Sequence, residues 1–146
     1  MPTISREQGI LAVPEQIEID FNEIHRKTKY PQEAFAFVQQ GLAHTVKLFQ
    51  RIEEAEIIET GESSGEHHVN GRQLCEGLRD LALNRYGLLA RTVLSRWGVH
   101  ATDDFGRIVF AMIDAGLMRK SDEDRVEDFA SVYEFDKAFP KADSDN

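Results

Sequence analysis

The sequence predicts a mainly α-helical domain that ends in a small β-hairpin, which is an α+β fold. Apolar residues recur every three or four positions over most of the chain up to residue 114, and helix-capping residues and glycines separate these stretches. After residue 116 the helical period gives way to two short apolar stretches around a run of charged residues. That pattern is typical of two strands joined by a turn.

The composition is that of an ordinary folded protein. Of the 146 residues, 41% are hydrophobic and 29% are charged, so one domain with a real core is expected. We place this globular domain at 14–139, between a flexible N-terminus at 1–13 and a disordered acidic tail at 140–146. The chain lacks a membrane-length apolar stretch and a secretory signal, and its single cysteine excludes an internal disulfide, so we expect a cytoplasmic protein.

Charge is distributed unevenly along the chain. The net charge is −6 over 1–69, +3 over 70–120 and −6 over 121–146, for a total of −9. This pattern indicates either a small basic patch that acidic flanks partly shield, or simple complementarity between surfaces of one solvated domain.

Two helices are predicted in the first half of the chain. The first spans 14–29, although the string IEIDF within it alternates like a strand. The second covers YPQEAFAFVQQGLAHTVKLFQ, where Pro31 suits the first helical position and Glu33 the positive end of the helix dipole. Gly41 lies inside this helix, which indicates either a close-packed neighbour or an early helix end.

Three further helices follow a polar connection. Asn70 is predicted to cap a third helix, and Gly87 is predicted to end it. The string LLARTVLSRWG forms a fourth helix that Gly98 terminates. Thr102, with two aspartates after it, is predicted to cap a fifth helix, DDFGRIVFAMIDAG.

The last part of the domain fits a β-hairpin better than a helix. One strand would span 117–121 and the other 129–135, with a charged turn between them. A helix through Val126, Phe129 and Tyr133 fits the same residues, and periodicity alone does not separate the two.

The order of elements over 73–135, three helices with a tight turn and then a hairpin, is that of a winged helix-turn-helix. The basic middle would then supply a nucleic-acid patch made of Arg72, Arg79, Arg85, Arg91, Arg96 and Arg107. Asp103 and Asp104 would face the phosphates at the start of the recognition helix, and the net charge of −9 also opposes nucleic acid. Nucleic-acid binding is therefore the alternative hypothesis.

The string HHVNGRQLC contains the candidates for a metal or thiol site, His67, His68 and Cys75. A zinc site needs three or four converging ligands, and adjacent histidines in an extended segment point to opposite faces. Cys75 falls on the apolar stripe of its helix, where cysteine behaves as a small hydrophobe. We predict no metal, cofactor or catalytic residue, and keep metal- or thiol-dependent activity at His68 and Cys75 as a third hypothesis.

Three strings carry a resemblance to a known family: YPQEAFAFVQQGL, HVNGRQLCEGLRDLAL and WGVHATDDFGRIVFAMIDAGLMRKSDEDRVEDFASVYEF. Together they resemble an uncharacterised bacterial family found mainly in planctomycetes and verrucomicrobia, over about 30–139. The chain departs from the family's pattern, with preserved size or capping role, at Phe35, Asn70, Gln73 and Glu134. The resemblance implies no activity, and it singles out His68 rather than His67 as the histidine of the pattern.

The leading hypothesis is a non-enzymatic protein-interaction or regulatory module. No phosphate-binding, nucleophile-elbow or zinc-protease motif occurs in the chain. We expect the partner to be another protein rather than a membrane, and expect an exposed apolar patch that involves Trp97, Tyr133 or Phe139. The sequence does not predict the oligomeric state.

Overall fold

A computed structural model describes residues 21–60 and 69–140, with side chains over 23–52 and 69–140. Within these ranges the helices are α1 (Phe21–Thr28), α2 (Gln32–Thr60), α3 (Gly71–Tyr86), α4 (Ala90–Arg96), α5 (Thr102–Asp114) and α6 (Phe135–Ala138), with 3₁₀ turns at Gly87–Leu89 and Val126–Phe129. None of the helices described here is long and apolar enough to cross a membrane. The predicted N-terminal segment, the start of the first helix and residues 141–146 of the tail lie outside the described residues.

The helices α2 and α3 form an antiparallel pair that meets at two glycines. A Cβ atom on Gly77 would lie 1.8 Å from Thr45 Oγ1, and one on Gly41 would lie 2.1 Å from Leu78 Cδ2. The Thr45 hydroxyl donates to the Gly41 carbonyl oxygen at 2.6 Å, so it needs no partner from α3. Because neither glycine has a side chain, the two helices approach closely, which confirms the close-packed neighbour predicted for Gly41.

The starts of α3 and α5 follow one rule, in which the side chain of the third helical residue accepts a hydrogen bond from the backbone N–H that precedes the helix. At α3 the Gln73 N–H donates to Asn70 Oδ1 at 2.8 Å and the Asn70 N–H donates to Gln73 Oε1 at 3.0 Å, so the Asn70 cap is confirmed. At α5 the prediction that Thr102 is the N-cap is wrong by one position, since Thr102 is already helical. Asp104 Oδ2 accepts instead from the Ala101 N–H at 3.2 Å.

A glycine turn follows α5 and sends the chain back over the core. Gly116 has a φ of 81°, and the Leu117 N–H donates to the Met112 carbonyl oxygen at 2.7 Å. This is the geometry in which a left-handed residue ends a helix and an apolar residue behind it packs on the last turn. The turn places both Leu117 and Met118 inside the core.

The predicted C-terminal β-hairpin is wrong, because the described residues contain no strand. Leu117 and Met118 are consecutive and both buried, whereas successive side chains of a strand point to opposite faces. Ser131 has a φ of 50°, a left-handed conformation that interrupts the second predicted strand. Without a hairpin there is no wing, so the winged-helix prediction for 73–135 is also wrong.

Side chains satisfy the backbone of the C-terminal segment, which we define as residues 117–140. Its N–H groups donate as follows: Ser121 to Asp124, Arg125 to Asp128, Ser131 to Asp103 and Val132 to Thr102. The run SDEDRVED therefore builds local turns instead of a charged hairpin loop, because short polar side chains compete with strand pairing for these donors.

Phe129 fixes the C-terminal segment to the core. A Cβ atom on Gly71 or on Gly106 would come within 2.8 Å of a Phe129 side-chain carbon, so the ring is held between the starts of α3 and α5. The Thr102 hydroxyl donates to the Phe129 carbonyl oxygen at 2.7 Å. The second and third strings of the family resemblance, which contain Gly71 and Gly106, therefore pack together around Phe129.

Candidate interaction surface

Cys75 is enclosed by the core. Cys75 is fully buried. Burial raises the pKa of its thiol well above the usual value, so the reactive thiolate is disfavoured. His67 and His68 lie outside the described residues. Over 21–60 and 69–140, no group of three or more His, Cys, Asp or Glu residues is placed to hold a metal ion. These surroundings support the prediction that Cys75 acts as a small hydrophobe.

Two of the predicted nucleic-acid arginines contact α6. Arg79 Nε donates to the Ala138 carbonyl oxygen at 3.0 Å, and Arg91 forms an ion pair with Asp136. Arg72 lies seven positions before Arg79 and so shares its side of α3. The contacts of Arg79 and Arg91 connect α3 and α4 to the C-terminal segment.

The other arginines lie on different sides of the molecule. Arg85 Nη1 donates to Gln40 Oε1 at 2.7 Å, on the side of α3 that faces α2. Arg107 Nη1 lies 2.7 Å from Asp104 Oδ1, at the start of α5, and Arg96 closes α4. Arg79 and Arg85 are six positions apart on one helix and point to different faces. The six arginines therefore form no continuous track for a phosphate backbone.

The predicted interaction residues Trp97, Tyr133 and Phe139 do not meet on the surface. Phe139 is fully buried, and the Tyr133 hydroxyl donates to the Cys75 carbonyl oxygen at 2.7 Å. The Trp97 ring is half-buried, with its centroid 5.5 Å from that of Phe37. All three aromatic side chains pack on the core, where the rings of Tyr133 and Phe139 contact each other with centroids 6.2 Å apart.

The most exposed large apolar side chains lie on the 3₁₀ turn after α3. Leu88 and Leu89 are each 56% exposed, more than any other large apolar residue of the described chain. Gly87 has a φ of 56°, which ends α3 and reverses the backbone, and side chains with a Cβ rarely adopt this conformation. We call Leu88 and Leu89 the leucine turn.

Sequence reasoning missed the leucine turn because it assigned both leucines to the fourth helix. That helix begins two residues later, and its buried positions are Ala90 and Leu94. The sequence did contain a sign of this exposure. Two consecutive leucines cannot both lie on the buried stripe of the helix that Ala90 and Leu94 define.

A groove lies between α2, α3 and α6, with a cavity volume of about 580 Å³. Its apolar lining includes Leu48, Phe49 and Ile52, and Ile52 is 46% exposed. Glu76 and Asp80 of α3 line the polar side of the groove. A second cavity, of about 540 Å³, lies beside the 3₁₀ turn Val126–Phe129, and we call it the acidic cavity because four of its nine lining residues are acidic.

Two carboxylates of the acidic cavity already stabilise local turns of the backbone. Asp124 and Asp128 line it, and each already accepts a hydrogen bond from a backbone N–H three residues earlier. Among the described side chains, three of the four exposed large apolar residues lie in the leucine turn or the groove, and the fourth is Val126. The chain matches no protein-family model, no curated protein and no solved structure.

Proposed function

We propose that this protein is a non-enzymatic interaction or regulatory module that binds a protein partner through the leucine turn. One observation carries the proposal: Leu88 and Leu89 are adjacent and are the most exposed large apolar residues described. Moving both leucines from water into an apolar contact would contribute about 2 kcal/mol, a factor of about 30 in affinity.

The electrostatic surroundings of the leucine turn support a protein partner. The chain contains no acidic residue from 81 to 102, its longest acid-free stretch. In the part of the chain that has described side chains, no carboxylate forms an ion pair with Arg85 or Arg96. A pair of exposed leucines in an acid-free stretch with arginines that form no ion pair suits a partner that presents apolar and acidic side chains together.

Nucleic-acid binding has less support. Two of the six candidate arginines, Arg91 and Arg107, are paired with carboxylates, and Arg79 and Arg85 point to different faces of α3. Affinity for a phosphate backbone depends on several cations along one surface. Exposed leucines contribute nothing to that kind of contact.

The test is affinity capture of the tagged protein from the cells in which it is made, with nuclease present. The Leu88→Asp/Leu89→Asp double variant is compared with wild type and with a control variant, Val126→Asp. Val126 lies away from the leucine turn and is 43% exposed. We expect wild type and the control to retain a stoichiometric protein partner and the double variant to lose it, with all three equally helical by circular dichroism.

Two outcomes would overturn the proposal. Equal recovery with the double variant would show that the leucines do not bind the partner. Recovery that depends on nucleic acid, and collapses when nuclease is added, would support the arginines as the binding residues instead.

A further inference from the structure

The geometry points to a specific partner for the leucine turn: the groove of a second copy of this chain, in a two-fold symmetric dimer. The inference rests on the proposed function, because the leucine turn is the contact surface in both. Each copy would place Leu88 and Leu89 in the groove of the other copy. Such a contact uses the same two surfaces twice and closes on itself.

The chemistry of the groove fits a pair of leucine side chains. Phe49 is half-buried and Ile52 is 46% exposed, so the groove presents apolar carbon that the chain itself leaves uncovered. Its volume of about 580 Å³ lies in the range of cavities that enclose small ligands, which is ample for two leucines. Filling it would remove from water the exposed apolar side chains of both surfaces.

The leucine turn and the groove flank the same short helix. Arg91, two residues after the leucine turn, forms an ion pair with Asp136 of α6. Lys137 and Ala138, the next residues of α6, line the groove. A two-fold axis that passes near α6 can therefore bring the leucine turn of each copy to the groove of the other.

The charges on the two surfaces are complementary. Arg85 precedes the leucine turn by three residues and Arg96 follows it by seven, and neither has a carboxylate partner among the described side chains. Glu76 and Asp80 line the groove, and Glu76 likewise takes part in none of the ion pairs described. Two cations also line the groove: Arg79 donates to the Ala138 carbonyl oxygen at 3.0 Å, and Lys137 lies 3.8 Å from Glu134. The arginines of one copy would meet the free carboxylate of the other.

Sedimentation equilibrium of the purified full chain tests the dimer. Wild type should approach about 33 kDa, twice the 16.6 kDa of one chain, at concentrations up to about 200 μM. The Leu88→Asp/Leu89→Asp variant and the groove variant Ile52→Asp should each stay monomeric. Val126→Asp, at a residue that is 43% exposed and lies on neither surface, should dimerise like wild type.

A mixing experiment distinguishes direct contact from misfolding. When the leucine-turn variant and the groove variant are mixed, the leucines of one can still enter the intact groove of the other. A heterodimer held by one of the two contacts should then form, although neither variant associates alone. Arg85→Gln/Arg96→Gln should weaken the wild-type dimer by about tenfold and reduce its sensitivity to salt.

Three results would overturn the inference. They are a monomeric wild type at the highest concentration, a dimer that survives both leucine substitutions, and a mixture of variants that stays monomeric. If the chain is monomeric but captures a different protein through Leu88 and Leu89, the proposed function stands and only the second copy is excluded.

Discussion

The α2–α3 pair and the C-terminal segment contribute to the same core but are held in different ways. The helix pair depends on shape, because Gly41 and Gly77 leave room for Leu78 and Thr45. The C-terminal segment depends on hydrogen bonds from side chains such as Thr102 to its backbone. A helix satisfies most of its own backbone groups, whereas a segment with little regular structure takes more of its hydrogen-bond partners from side chains. Substitutions should therefore affect the two regions for different reasons.

Removing the ring of Phe129 should have the largest effect, because it releases the C-terminal segment from the core. Phe129→Ala should lower the free energy of unfolding by about 4 kcal/mol, the usual cost of emptying a buried phenylalanine site. Urea denaturation measures this. Val126→Ala, in the same 3₁₀ turn but 43% exposed, is the control and should change stability by less than about 0.5 kcal/mol. A loss below about 1 kcal/mol for Phe129→Ala would show that the segment does not depend on this ring.

Adding one methyl group to the helix pair should have the next largest effect. Gly77→Ala would place a Cβ atom 1.8 Å from Thr45 Oγ1. We expect a loss of about 2 kcal/mol, since overpacking outweighs the gain of about 1 kcal/mol that alanine brings to a helix.

A double-mutant cycle sharpens that prediction. Thr45→Ala removes the nearest clashing atom, so Gly77→Ala should cost less in the Thr45→Ala background than in wild type. Thermal unfolding of the four proteins measures the coupling. If Gly77→Ala instead stabilises the chain, as its helix propensity alone would, the close approach of α2 and α3 does not determine the stability of this region.

Replacing Thr102 tests the hydrogen bonds that hold the C-terminal segment. Thr102→Val keeps the shape but leaves the Phe129 carbonyl oxygen and the Val132 N–H without the threonine hydroxyl. We expect a loss of about 2 kcal/mol and faster amide exchange at Val132. Thr92→Val, on an exposed threonine of α4, should change neither. Unchanged exchange at Val132 would argue against this hydrogen bond as a support of the segment.

The smallest effect appears only at alkaline pH. Burial, together with the hydrogen bond to Asp104, raises the pKa of Tyr30 from 10.0 to about 12. The folded chain therefore holds this proton more tightly than the unfolded chain does. Its contribution to stability is complete below pH 10 and is lost as the pH rises to 12.

The variant Tyr30→Phe separates this contribution from those of other groups. It should flatten the decline of unfolding free energy between pH 10 and pH 12, measured by urea denaturation at each pH. Burial also raises the pKa of Tyr133 and that of the Cys75 thiol, so part of the decline should remain in Tyr30→Phe, both within and above this range. An unchanged slope in Tyr30→Phe would show that Tyr30 does not cause it.

Local chemistry made much of the helical part predictable. The Asn70 cap, the end of α3 at Gly87 and the turn at Gly98 follow from residues within four positions of each feature. The C-terminal segment was not predictable in this way. Its backbone partners Asp103 and Thr102 lie about thirty positions earlier in the chain, and no local pattern reports them.

The candidate site was less predictable than the fold. The position of Cys75 on the apolar stripe of its helix indicated that it would be buried, and it is. The exposed patch was expected at Trp97, Tyr133 or Phe139, whereas Phe139 is buried and Leu88 and Leu89 are exposed instead. Exposure depends on which surfaces the rest of the chain covers, so an apolar residue alone does not reveal whether it packs inward or faces a partner.

The position of Phe129 in the chain also determines when the core can form during synthesis. The residues around Gly71 and Gly106 leave the ribosome before the rings that close the core, which are those of Phe129, Phe135 and Phe139. Until then the nascent chain carries a helical half with an open apolar cleft. A message cut short before these codons would yield a product for chaperones and proteases, not a smaller stable domain.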